Sequence, residues 1–354
     1  MTVELLPCIV RIFPQATVKR RGDRLERGET QQQMGQGSLK SDAILLLTAL
    51  IWGFAFVAQR AGMAYVEPFT FNGVRFALGT LSLLPLLLMQ RGQGQRLGSR
   101  QLKPTAKTIA LGGVLAGSVL FVAASLQQIG LVYTTAGKAG FITGLYVVIV
   151  PLLGLFLKQR PGAGTWIGAV LAVFGLYLLS VSEQLTIDPG DFLEILGAFF
   201  WAAHVLIIGW FSTRISALQL AALQFAICSV LSLATAALTE TILLSGIFQA
   251  AIPIIYGGFF SVGIAYTLQV VGQRGAQPSH AAIILSLEAV FGALGGWLIL
   301  SETLSARGLI GCTLMFAAML LSQSPVGKNG FAKKVWGFVS GRNAVGQSGK
   351  ARMK

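Results

Sequence analysis

The chain reads as an all-α, polytopic membrane protein with ten transmembrane helices in two inverted five-helix repeats. Composition, a series of apolar stretches and an internal repeat predict this. The 354 residues are 54% hydrophobic and only 11% charged, which excludes an ordinary soluble globule with a charged surface. The net charge of +14 raises the possibility of nucleic-acid binding. The basic residues, however, lie between apolar runs and in two tails rather than on one amphipathic face, so no nucleic-acid partner is expected. Cys8, Cys228 and Cys312 form no CxxC pair, which argues against a disulfide framework or a zinc site.

Residues 1–40, with the charged and Gln/Gly-rich stretch GDRLERGETQQQMGQGSLK, cannot bury a core and are expected to form a disordered cytoplasmic tail. Met34 offers a second candidate start. No cleavable signal peptide is expected in this basic, polar stretch, so span one itself should direct insertion. Ten apolar stretches follow, near 42–60, 68–89, 106–126, 134–157, 164–181, 191–211, 217–238, 251–271, 278–300 and 306–322. Each approaches the length a helix needs to cross roughly 30 Å of hydrocarbon. They group as a first repeat, 41–181, and a second, 191–322, with a basic cytoplasmic tail over 323–354.

Orientation follows from lysine and arginine. With both termini inside, all but Arg60, Arg75, Lys138 and Arg307 of the 27 fall on the cytoplasmic side. Such asymmetry over short loops sets topology.

The repeat appears when the halves are offset. A shift of 149 aligns Trp52 and Phe76 with Trp201 and Phe225; a shift of 142 aligns Gln127, Gly130, Leu145 and Gly154 with Gln269, Gly272, Leu287 and Gly296. An odd number of spans per unit forces the second unit to insert upside down. Inverted repeats enclosing a midplane site are the architecture of many secondary transporters.

Several residues carry candidate chemistry. Glu288 stands alone in the apolar run PSHAAIILSLEAVFGALGGWLILSETLSAR; an acid at that depth costs several kcal/mol (about 3 by insertion scales) and is expected to face a cavity or a partner helix. It is the first candidate for substrate or proton interaction, the structural alternative being a carboxyl bonded to a neighbouring helix. The 142 offset makes Tyr146 its counterpart. Arg75, matched by Gln224, offers a cation for a substrate carboxylate or for Glu288, against snorkelling or an outer pair with Glu67. His204 is a candidate proton relay, against a plain hydrogen bond within the bundle. Trp52 and Trp201 offer flat faces for a solute, against simple packing. Gln127 and Gln269 offer amides to a solute, against capping helix-end carbonyls. His280 and Lys138 align at the entrances of spans nine and four and read as interface positions. Gly113-x3-Gly117, Gly140-x3-Gly144 and Gly292-x3-Gly296 read as packing faces.

The run LEAVFGALGGWLILSETLS, closed by Glu302, resembles the late-repeat signature of EamA-type transporters in the drug/metabolite transporter superfamily. LIWGFAFVAQRAG and FFWAAHVLIIGWFS resemble the openings of two tandem EamA domains, and GLYVVIVPLLGLFL followed by WIGAVLAVFGLYLLS resembles the end of the first. The resemblance covers roughly residues 42–322. Two departures, Lys158-Gln159-Arg160 where an acid commonly follows span four and Ala289 where a proline often follows the glutamate of span nine, argue against carrying over any relative's substrate. The resemblance implies a secondary transporter that moves a small organic metabolite, an amino acid or related compound, outward by alternating access in a bacterial inner membrane. Its partners would be that solute and the lipid bilayer, with a proton as one candidate coupling ion. The competing class is a membrane-embedded enzyme or receptor-like scaffold. HExxH, GxSxG and P-loop motifs are absent from the sequence, and no cofactor is expected.

Overall fold

The computed structural model describes residues 27–93, 104–134, 136–159, 161–180, 189–300 and 305–323. Outside them lie Cys8, Glu302, Arg96, Arg100, Lys103, Arg160 and the expected basic tail from 324 onward. All regular structure among the described residues is helical. That follows from the apolar runs, because a helix satisfies its own backbone polar groups and lipid offers no other partners. Among the described residues, eight helices are long and apolar enough to cross a membrane, and Ala163–Leu178 and Ala306–Ser322 are shorter apolar helices. These account for the ten expected segments, and the two short ones, spans five and ten, pack against each other.

The boundaries differ from expectation in three places. The helix of span one begins at Arg27, inside the stretch read as a tail. Span three runs on to Tyr133 rather than stopping near 126. Spans four and nine, expected as single helices, are each interrupted: Ala136–Gly144 gives way to Tyr146–Phe156, and Pro278–Leu285 to Glu288–Leu300. The two interruptions occupy matching positions under the 142 offset. Span eight contains a π-helical stretch, Tyr256–Tyr266, a wide-turn geometry frequent at functional sites.

The packing carries the repeat into three dimensions. Span one lies against nine and eight, as span six lies against four and three, while two meets seven and five meets ten. Phe76 and Phe225, equivalent in the two repeats, meet with ring centroids 6.3 Å apart.

Contacts define two ends of the bundle. At the near end, where span one starts, His280 Nε2 lies 2.9 Å from Asp42 Oδ1 and Nδ1 lies 2.7 Å from Ser322 Oγ, joining spans nine, one and ten. His280 thus sits at a junction of helices. The side chain of Lys138, its counterpart, lies outside the described residues. Arg274 donates to the carbonyls of Ser212 and Ile215 at 2.7 and 2.8 Å, closing the end of span six; partial burial draws its pKa below the ordinary arginine value. At the far end Arg60 donates to the carbonyls of Leu131 and Val132, and Thr134 Oγ1 donates to Asp191 at 2.5 Å.

Glu240 ties spans two and seven together at the far end. Its carboxylate accepts from Phe69 N, Thr70 N and Thr70 Oγ1, each at 2.7 Å, which satisfies the free donors at the start of span two. Charge-assisted bonds of this kind contribute about 1.5–3 kcal/mol each. Because the group is only partly buried, Glu240→Ala is expected to lower stability by about 2 kcal/mol in total. Unfolding midpoints in detergent check this; an unchanged midpoint would contradict it.

Candidate functional site

The interrupted helices, the π-helical stretch and spans one to three and six enclose a central cavity. It leaves free space of only about 30 Å³, room for one or two waters. Ten of its fourteen lining residues come in repeat-related pairs: Trp52 with Trp201, Phe56 with Val205, Gln127 with Gln269, Thr143 with Leu285, and Tyr146 with Glu288. Such a lining requires the cavity to lie on the pseudo-twofold axis.

The last pair decides the geometry. Tyr146 and Glu288 each begin the second half of an interrupted helix, and the Tyr146 hydroxyl donates to Glu288 Oε1 at 3.1 Å. Two equivalent residues can bond to one another only close to the axis. The residue is 5% exposed, and it borders the cavity. Span nine passes through Ser286–Leu287 in a tighter turn, with Leu287 N donating to the Ile284 carbonyl and Ala289 N to that of Ser286, and Glu288 opens the helical segment beyond it.

Arg75 enters from span two. Its Nε donates to Asn72 Oδ1 at 2.9 Å, and the guanidinium lies 4.9 Å from the Phe76 ring centroid and 5.6 Å from that of Phe71. Neither anticipated ion pair forms. No carboxylate lies within ion-pair distance of Arg75 among the described residues, and Glu67 instead accepts from Thr241 N at 3.2 Å. A buried cation without a counter-ion therefore borders the cavity.

Aromatic rings fill the remaining wall. Trp52 Nε1 donates to the Ser261 carbonyl at 3.2 Å and its ring lies 4.5 Å from that of Tyr266. Trp201 stacks on the same tyrosine at 6.2 Å. His204 and Gln224 do not line the cavity: His204 Nε2 lies 2.8 Å from Gln224 Oε1, behind Trp201 and Tyr266, with the imidazole edge-on to both rings. The pair supports the aromatic wall. Gln127 lies more than a turn inside span three, so it caps no helix end; its Nε2 reaches Gln59 Oε1 at 3.3 Å. Gln269 Oε1 has no hydrogen-bond partner.

Sequence reasoning did not single out Tyr266, Gln59, Thr143 or Ser261, all of which line the cavity. Polar residues inside apolar runs were the available signal. At the far end a wider hollow of about 420 Å³ opens among Tyr65, Glu67, Thr70, Ile129, Tyr133 and Thr241.

The pairing of these walls matches what comparison with known proteins finds. The EamA-like transporter family model matches twice, over residues 39–181 and 188–323. The chain belongs to the EamA-like transporter family. Among relatives of this EamA-like protein is an Archaeoglobus fulgidus protein named an uncharacterized transporter, 32% identical over 295 residues, which span 82% of this chain and 89% of the relative. A Bacillus subtilis protein named uncharacterized transporter YoaV is 22% identical over 78% of this chain and 94% of its own length. A solved structure titled only as the crystal structure of a protein superposes with TM-score 0.65 at 17% identity, covering 80% of this chain and 96% of that one. At that identity the likeness speaks for the fold alone. The chain is thus an integral membrane protein of a transporter family, with the ten-helix, two-repeat fold.

Proposed function

We propose that this EamA-like transporter moves a small zwitterionic metabolite, an amino acid or a close relative, by alternating access. The supporting observation is the charge pattern of the axial cavity. One carboxyl, Glu288, and one guanidinium, Arg75, border it without pairing to each other, between the aromatic faces of Trp52, Trp201 and Tyr266. A solute ammonium would meet Glu288 and a solute carboxylate Arg75, each desolvated charge gaining the partner it lacks. The cavity is contracted around about 30 Å³, so solute entry requires spans to separate, and the matched breaks in spans four and nine are natural hinges.

Both termini are assigned to the cytoplasm from the lysine and arginine asymmetry. A bacterial inner membrane and outward transport follow the resemblance to exporters of this family, and Tyr146 joins Glu288 in the solute site.

Purified protein in liposomes, offered a panel of labelled amino acids, tests the reading. Flux is expected for at least one zwitterion, and Glu288→Gln is expected to reduce it at least about tenfold, a loss of ~1.4 kcal/mol of interaction. Unchanged flux in Glu288→Gln would remove that residue from the site. Absence of flux across the panel would remove the amino-acid assignment.

A further inference from the structure

A second acid lies outside the solute cavity. Glu194 of span six is fully buried. Thr143 Oγ1 donates to its Oε2 at 3.0 Å, whereas its Oε1 has no hydrogen-bond partner and rests on Gly130 of span three.

The inverted repeat supplies an internal control for this carboxyl. Under the two offsets Glu194 corresponds to Leu45 and Gly130 to Gly272. The contacts match: a Cβ added at Gly130 would lie 2.7 Å from Glu194 Oε1, and one added at Gly272 would lie 2.8 Å from Leu45 Cγ. A leucine therefore meets the packing demand of this position. The carboxyl answers some other need.

Pairing with a cation is not that need among the described side chains. The ionisable groups on the elements packed around Glu194 are Asp191, one turn earlier, and His204 on its own helix, Lys107 and Tyr133 at the two ends of span three, Lys138 and Tyr146 on span four, and His280 and Glu288 on span nine. No described lysine or arginine lies within ion-pair distance of it. Lys138 precedes Thr143 by five residues, about 7.5 Å of helix rise.

We propose that Glu194 is a proton-binding site of the transport cycle, loaded while the far end of the bundle is sealed and emptied when that end opens to water. The inference rests on the transporter reading. In the sealed structure a carboxylate here would be a buried charge with one unsatisfied oxygen, so closure over the ionised group is disfavoured and closure takes up a proton from water. Opening reverses the step, returning the proton to water and leaving the carboxylate hydrated. Thr143 connects Glu194 to the cavity wall, and Asp191 with Thr134 stands between it and the far end. Because Leu45 holds the equivalent place in the other repeat, the proton acts on one access state and not on its mirror.

Infrared difference spectra of the full-length protein in lipid, recorded between mildly acidic and alkaline buffers, test this without any solute. One protonated-carboxyl C=O component at neutral pH is expected to be lost in Glu194→Gln, to remain in Glu288→Gln, and to be displaced but not lost in Thr143→Val. Glu194→Leu, the residue of the other repeat, serves if the glutamine variant does not fold. A second readout is the reaction of Leu131→Cys, fully buried beside Gly130 in the sealed bundle, with an aqueous maleimide, compared with the protein lacking that cysteine. Relative to free cysteine at the same pH, which corrects for thiol ionisation, labelling is expected to quicken at least about tenfold in alkaline buffer and to lose this excess with Glu194→Gln or Glu194→Leu. A spectrum that loses no protonated-carboxyl component with Glu194, a carboxylate signal that shifts with sodium or with Lys138→Met, or an excess pH dependence of labelling that persists would each overturn the proposal. Neither readout uses an amino acid, so a failed flux assay leaves this test intact and a failed proton band leaves the flux result intact.

Discussion

Gly53→Ala is expected to loosen the contact between spans one and nine and to break the Tyr146–Glu288 hydrogen bond. A Cβ at Gly53 would lie 2.5 Å from Phe291 Cβ, 2.6 Å from Gly292 N and 2.7 Å from the Glu288 carbonyl oxygen. None of these atoms is the free end of a flexible side chain, so the helices must part by about 1 Å to regain ordinary carbon contact distances. The methyl would press on the first turn of the half-helix that Glu288 begins. Overpacking of this kind costs about 1–3 kcal/mol. The equivalent residue in the other repeat is Ala202, which is fully buried. The fold therefore accommodates a methyl on span six where it excludes one on span one. Two inverted halves exchange conformations between access states, so Gly53→Ala penalises the state with spans one and nine closed and shifts the balance by roughly 10- to 100-fold. Amide exchange over Phe291–Gly295 should accelerate to match, with a lower unfolding midpoint in detergent. Wild-type exchange rates would refute the argument.

The spans and their pairing were legible because both leave marks in composition: apolar runs of fixed length, and identities at constant offsets. Glu288 was legible as an acid in lipid-like surroundings, and Tyr146 through the repeat. The breaks in spans four and nine were not. They pass through Leu145 and through Ser286–Leu287, residue types that form helix elsewhere in the chain. The π-helical turns of Tyr256–Tyr266 leave no composition signature either. Tyr266 and Gln59 escaped notice because their counterparts, Ala124 and Ile208, are apolar, and the repeat draws attention only to matched positions. Glu194 stands three residues after Asp191 near the start of span six, where an acid reads as a helix-start residue favoured by the backbone dipole. Its complete burial is a property of packing against span three and could not be seen from the chain alone.

Arg75→Met is expected to raise stability while abolishing solute transport. The guanidinium is 1% exposed and has no carboxylate partner among the described residues, so its desolvation is offset only by Asn72 and by the faces of Phe71 and Phe76. Such a buried ion costs several kcal/mol (about 3 or more) relative to its hydrated state, and apolar residues of similar volume replace buried charges with neutral or favourable effect. Against this stands one loss: Asn72 Oδ1 would forfeit its donor, at about 1–3 kcal/mol, although Asn72 Nδ2 keeps its 3.0 Å bond to the Ala124 carbonyl. Methionine is unbranched and fills the same channel between the phenyl rings. The balance favours the variant by about 1 kcal/mol, read as a higher unfolding midpoint. A structural role for Arg75 predicts the opposite, a midpoint several degrees lower with transport reduced only in proportion to folded protein. The two outcomes separate a cation kept for its solute from a cation kept for the fold, because an uncompensated buried charge that destabilises the empty protein is retained where a ligand supplies the missing partner.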